Sequence, residues 1–161
     1  MSWVIFGWKG VGKTFVGKRL AHHSGKEFAD LDECLEKRHG KSIQELYHEW
    51  GEKRFREEEH EMLSEFRDRK NLILSLGGGT LILPKSARVI RRFGLRIYLE
   101  LPLARALAHP RFSSKATGSK NRFLAEFHKR QKIFRSACNI CFRALSDEAL
   151  ERNIREKFGI E

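Results

Sequence analysis

The run Gly7-Trp-Lys-Gly10-Val-Gly12-Lys13-Thr14 constrains this chain more than any other feature. It has the spacing of a phosphate-binding loop, two glycines bracketing four residues and then Lys-Thr. Such a loop works only between a strand and a helix. Trp3-Val-Ile-Phe6 reads as the strand, and Phe15, Val16 and Leu20 are spaced for one face of a helix that begins near Lys13. The glycines permit positive φ and let backbone N–H groups converge on phosphate oxygens. The helix start adds the positive end of its dipole. Lys13 is then placed for the β- and γ-phosphates, and the Thr14 hydroxyl for Mg²⁺. The expected nucleotide contacts are Gly10, Val11, Gly12, Lys13, Thr14 and Phe15, with ATP and Mg²⁺ as the implied ligands.

Short apolar runs alternate with helical stretches along the rest of the chain, the pattern of a parallel α/β sheet. Strands are expected at Glu27–Leu31, Leu72–Leu76, Leu95–Leu99 and 138–142. Helices are expected at Asp32–His39, from the capping box Ser42-Ile-Gln-Glu45, from Glu52 to about Lys70, from Pro84 to near Phe93, at Asn121–Phe134 and at 147–158. Residues 110–121 lack periodicity and read as a mobile lid. The expected architecture is a three-layer α/β P-loop sandwich around a central parallel five-stranded sheet, one domain over 1–161. Parallel sheets take ligands at the carboxyl ends of their strands, which directs attention to the strand exits.

Composition excludes several classes. With 40% hydrophobic and 33% charged residues, the chain reads as soluble and globular. No apolar run approaches the roughly 18 residues of a membrane span, and no leader pattern precedes the first strand. A cytoplasmic, reducing location is the default expectation. Cys138-Asn-Ile-Cys141 is a lone CxxC; on a strand its thiols would face opposite sides, so buried, unpaired thiols are expected rather than zinc or redox chemistry. The net charge of +11 falls entirely in residues 81–161, since residues 1–80 hold 14 basic and 14 acidic side chains. That suits a polyanionic small molecule or nucleic acid.

Four further features can carry chemistry. Asp30 and Asp32 lie at the end of the second expected strand; two residues apart on a strand, both would face the phosphate loop. One can serve Mg²⁺ and the other the attacking hydroxyl, or Asp32 can be a helix N-cap. The charge run Gly51-Glu-Lys-Arg-Phe-Arg56-Glu-Glu-Glu59 can be a solvated helix face. Gly77-Gly78-Gly79 can be a flexible turn, or a place where backbone must approach a ligand. The basic stretch from Arg111 to Arg135 can be a cationic lid or a nucleic-acid patch.

These elements in this order resemble the shikimate kinase family. The resemblance runs from about Trp3 to Phe142 and rests on the phosphate loop, Phe28-Ala-Asp30-Leu-Asp32, Gly51-Glu52…Phe55-Arg56…Glu59 and the triglycine strand exit. It implies phosphorylation of shikimate to shikimate 3-phosphate by ATP. Asp32 would bind ring hydroxyls and serve as base, and Asp30 would help hold Mg²⁺ beside Thr14. Arg56 would grip the shikimate carboxylate, oriented by Glu59. Gly78 and Gly79 would offer backbone N–H groups, Arg130 would be a second carboxylate ligand, and Arg111 a lid residue meeting the phosphates. Departures from the family's pattern cluster in the lid: Phe112 follows Arg111 where proline is usual, and Arg130-Gln-Lys132-Ile-Phe134 replaces Arg-x-Pro-Leu-Tyr. The enzyme is expected to act as a monomer on a small molecule, with no nucleic-acid or membrane partner. The competing expectations are another small-metabolite kinase on the same scaffold and a non-catalytic nucleotide- or nucleic-acid-binding module.

Overall fold

Five strands, β1 (Trp3–Gly7), β2 (Glu27–Asp30), β3 (Leu72–Ser75), β4 (Leu95–Glu100) and β5 (Ile140–Arg143), pair in parallel in the order β2-β3-β1-β4-β5. The structure is a computed structural model and describes residues 1–108 and 117–160. The helices are α1 (Lys13–Ser24), α2 (Leu31–His39), α3 (Ile43–Phe66), α4 (Pro84–Val89), α5 (Leu103–Leu107), α6 (Thr117–Ala137) and α7 (Asp147–Phe158). This is the expected parallel five-stranded sheet with helices on both faces.

Alternation along the strands divides the core in two. Val4, Phe6, Leu72, Leu74 and Tyr98 face α2, α3 and α6, where Leu35, Phe55, Leu63 and Phe134 meet them. Ile5, Ile73, Ile97 and Leu99 face the other way, against Val16 and Leu20 of α1 and Leu150 and Ile154 of α7. Each fully buried Leu, Ile or Phe contributes about 1.5–3 kcal/mol relative to exposure. A smaller cluster gathers Ala106, Phe123 and Phe127 under Trp8 of the phosphate loop.

The chain switches sheet direction at β1, which lies between β3 and β4. The carboxyl ends of β1, β2 and β3 therefore open onto one crevice. Every residue considered below except those of α3, α6 and α7 comes from a strand exit or the segment that follows it.

Several boundaries differ from expectation. The expected helix from Glu52 continues the one opened at Ser42, and Gly51, at φ 74° and ψ 169°, marks the break between them. The Ser42–Glu45 capping box is present. The helix ends at Phe66 rather than near Lys70, because Arg67-Asp-Arg-Lys70 has no apolar residue to dock. Residues 117–121, expected in the lid, form the first turns of α6, and Phe123 and Phe127 anchor the segment that follows. Lid positions 110–116, with Arg111 and Phe112, lie outside the described residues.

The thiols also differ. Cys138 precedes β5, half-buried; Cys141 lies on β5, the sheet's edge strand, and is exposed. Both are free, and the described residues hold no cluster of three or more His, Cys, Asp or Glu fit for a metal. No helix among the described residues is long and apolar enough to cross a membrane.

Candidate active site

The phosphate loop turns from β1 into α1 through Gly10 and Gly12, at φ 83° and 99°. These left-handed values are open to glycine and costly for other residues. Lys13 folds back over the loop, its Nζ donating to the carbonyls of Gly7 (3.2 Å) and Trp8 (3.1 Å). Burial brings its ammonium down to about 8, against the pull of Asp32 and Asp30 and with the push of Lys9. The Thr14 hydroxyl donates to Asp30 Oδ2 at 3.2 Å, so the two oxygens expected around Mg²⁺ are adjacent.

Asp30 and Asp32 meet in the crevice by a different route from the one expected. Only Asp30 is on the strand. It is the N-cap of α2, its Oδ1 accepting from the Asp32 amide at 3.0 Å. Asp32 stands in the first helical turn, so the capping role that was open for Asp32 belongs to Asp30. Asp32 is pushed up to about 6, chiefly by burial and then by the neighbouring negative charges of Glu59 and Asp30, with Lys13 and Arg56 opposing. That value suits a carboxylate that is ionised at neutral pH yet basic enough to take a proton.

The triglycine that follows β3 is a hub where α2, α3 and the phosphate loop meet. A Cβ on Gly77 would stand 2.8 Å from both Asp32 Oδ1 and Glu59 Oε1. One on Gly78 would stand 3.2 Å from the Lys9 amide in the phosphate loop. One on Gly79 would collide with the Arg56 guanidinium. Neither the Gly78 nor the Gly79 amide donates to a protein acceptor among the described residues. All three glycines are thus closely approached by other parts of the protein.

Two arginines converge on this hub. Arg56 Nη1 donates to Glu59 Oε2 at 2.6 Å, one helical turn on, and Glu59 is 1% exposed. Thr80 Oγ1 donates to the other Glu59 oxygen at 2.7 Å. Arg56 Nε is buried without a hydrogen-bond partner. Arg130, from α6, donates through Nη1 to the Gly78 carbonyl at 3.1 Å. The charge run of α3 thus splits: Glu52, Lys53 and Arg54 lie on the solvated face, while Arg56 and Glu59 turn inward.

Three contributors were not anticipated. Thr80 is buried under Glu59 and had only its position after the triglycine to signal it. Glu126 bonds Arg130 Nε at 2.6 Å, and its i,i+4 spacing was the available signal. Trp8 lies 4.9 Å from the Arg130 guanidinium carbon, and no local signal marked it.

Beside the loop, between α1 and α7, is a cavity of about 330 Å³ lined by Gly10, Gly12, Phe15, Val16, Leu150 and Ile154 among others. Phe15 is 62% exposed there, unusual for a side chain of that size. Phe123 and Phe127 are buried, so neither offers a stacking surface for bases.

A phosphate loop at the switch point of a five-stranded parallel sheet, facing a carboxylate and two inward arginines, defines a P-loop small-molecule kinase. Known proteins narrow the class. A family model described as shikimate kinase matches residues 9–159, and the chain belongs to the shikimate kinase family. The shikimate kinase of Chlorobium chlorochromatii is 36% identical over 132 residues, spanning 80% of this chain and 70% of the relative. That of Persephonella marina is 35% identical over 136 residues, 83% of each chain. The crystal structure of shikimate kinase from Bacteroides thetaiotaomicron matches with a TM-score of 0.80 at 26% identity, over 99% of this chain and 97% of the other. A structure of the Acinetobacter baumannii shikimate kinase in complex with shikimate has the same fold, with a TM-score of 0.83 at 23% identity over 98% and 93% of the two chains.

Proposed function

We propose that this chain transfers the γ-phosphoryl group of ATP to the 3-hydroxyl of shikimate, with the residues around the triglycine hub as its acceptor site. The observation that carries the reading is that hub: within three residues, backbone meets the candidate base Asp32, the phosphate loop and both arginines.

Phosphoryl transfer asks for positioning and charge neutralisation more than covalent chemistry. Lys13 is poised one loop away from the phosphates, held by carbonyls that a triphosphate would replace as partners. Asp32 accepts the proton of the attacking hydroxyl. Arg56 and Arg130 take the acceptor carboxylate, for which guanidinium forks are suited. The free amides of Gly78 and Gly79 suit acceptor oxygens. The apolar cavity at Phe15 has the size and lining for a nucleobase. Arg111 supplies a further cation for the phosphates in this reading.

Thr14 and Asp30 fit Mg²⁺: a hydroxyl and a carboxylate are hard oxygen donors, and Mg²⁺ on a triphosphate commonly takes only one or two protein ligands. When bound, the ion would neutralise charge on the β- and γ-phosphate oxygens. We read the unit of action as a monomer, in which one chain supplies every candidate residue of the site. The three free cysteines suit a reducing compartment such as the cytoplasm.

A coupled ADP-release assay with shikimate, gluconate and nucleoside monophosphates tests the proposal. Shikimate should be preferred by at least about 10³ in kcat/KM, since a site built for a carboxylate and hydroxyls strongly rejects acceptors that leave those groups unpaired. Equal or better turnover of another acceptor would overturn it.

A further inference from the structure

The two arginines of the hub are held in parallel ways. Arg56 is fixed by Glu59, which is itself fixed by Thr80. Arg130 has its own set of partners, drawn from α6, the triglycine and the phosphate loop. Glu126, one turn earlier on α6, takes Arg130 Nε at 2.6 Å. Gly78 O takes one Nη1 proton at 3.1 Å. The Trp8 ring covers the guanidinium, 4.9 Å from Cζ.

Trp8 is itself wedged. Its ring stands 5.5 Å from Phe123, edge-on, and 5.2 Å from Phe127, both buried residues of α6. Its backbone carbonyl meanwhile accepts from Lys13. Arginine carries five N–H donors. With Nε and one Nη1 proton engaged, three remain, one on Nη1 and both on Nη2, so the terminal nitrogens keep donors for a carboxylate.

We infer that Glu126 and Trp8 are positioning residues that hold Arg130 with its remaining terminal N–H donors presented to the acceptor carboxylate. The inference rests on the reading of Arg130 as a carboxylate ligand. Fixing a long side chain beforehand lowers the cost of ordering it when the acceptor arrives. Glu126 is 38% exposed, and exposed ion pairs add little to stability. Its loss should therefore register in acceptor binding and not in folding.

The test is steady-state kinetics with shikimate and with its carboxamide analogue, for Glu126→Leu, Glu126→Gln, Trp8→Leu, Trp8→Phe, Arg130→Ala and the double variant Glu126→Leu/Arg130→Ala. Lys129→Ala, an exposed residue of the same helix, is the control. Glu126→Leu should raise the shikimate KM about tenfold with ATP KM within about twofold, the signature of lost uniform binding. Glu126→Gln, which keeps an acceptor for Nε, should recover most of the loss, and Trp8→Phe should recover most of that of Trp8→Leu. The double variant should be no worse than Arg130→Ala alone, and the carboxamide should be almost insensitive to Glu126→Leu. Additive losses in the double variant, or equal losses on both acceptors, would overturn the positioning role. If Arg130→Ala raises the shikimate KM while Glu126→Leu does not, only this inference fails. If Arg130→Ala itself leaves that KM unchanged, the carboxylate reading and the inference fall together.

Discussion

The acceptor side and the nucleotide side of the crevice hold their cations differently. Arg56 and Arg130 are bonded to carboxylates of their own helices, Glu59 and Glu126, and so stand in place before any ligand arrives. Lys13 instead donates to two carbonyls of its own loop, bonds it must give up to reach a phosphate. The acceptor side is preorganised. On the proposed reading the nucleotide side would have to rearrange, and its exposed Phe15 and open cavity would offer the base a surface rather than a fitted slot. One consequence is a division of effects: changes on the acceptor side should appear in KM for the acceptor, and loss of Lys13 should appear in turnover.

The largest effect should come from Lys13→Ala. It removes a cation from the transferring group, where such groups are worth several kcal/mol, so kcat should fall by 10³ or more while circular dichroism remains unchanged. Turnover within about tenfold of wild type would break the comparison at its nucleotide end.

Asp32→Asn comes next. Loss of a general base costs about 10²–10⁴-fold in kcat. The same substitution should stabilise the fold at neutral pH. The folded pKa of about 6 lies above the ordinary 3.8, so the folded state prefers the protonated carboxyl. Its favourable contribution is complete below pH 4 and is lost as pH rises through 6. An uncharged amide escapes that loss, and the melting temperature at pH 7.5 should rise by a few degrees. For the wild type, kcat/KM should fall about tenfold per unit below pH 6. A variant with normal kcat, or a profile flat down to pH 5, would remove Asp32 from the chemistry.

Arg56→Ala should cost about 1.5–3 kcal/mol, seen as a raised KM for shikimate with little change for ATP. Arg56→Lys should be nearly as damaging, because an ammonium cannot reproduce the fork held by Glu59. Arg54, exposed and packed over Trp50, serves as the control. A larger loss from Arg54→Ala would contradict the split of α3 into a solvated and an inward face.

The smallest effect should be Phe15→Ala. Removing one wall of an open cavity should raise the ATP KM by about three- to tenfold, the range for base–aromatic stacking at its weaker end. No change would place the base elsewhere.

How much of this was legible depends on how local each interaction is. The phosphate loop needs a strand, a few glycines and a helix start that are contiguous, so the sequence from Trp3 to Thr14 specified it almost completely. The capping box at Ser42 and the break at Gly51 are equally local. Asp30 and Asp32 were found as a pair with the wrong geometry, because a single residue of boundary decides whether Asp32 sits on a strand or in a helical turn. The inward turn of Arg56 is a tertiary fact: nothing in a run of charges tells which of them faces a core until Phe55 and Leu63 are seen to dock. Trp8 and Glu126 were missed for the same reason, since their meeting at Arg130 joins a loop after β1 to a helix more than a hundred residues later. Cys141 was expected to be buried because β5 reads as apolar, and the order of strands, which puts β5 at the edge, is not written in the strand itself.

The break at Gly51 also bears on the order in which the molecule is made. It separates Ile43–Trp50 from the rest of α3, and a helix of two turns lies well below the roughly 12–15 residues that persist alone in water. That segment must wait for Leu46 to reach the core before it holds its shape. The core it waits for requires β1 to find β3, pairing Trp3 with Ile73, a contact of high sequence separation and therefore slow closure. Refolding followed by hydrogen exchange should accordingly protect the sheet around β1 first and the amides of 43–50 last.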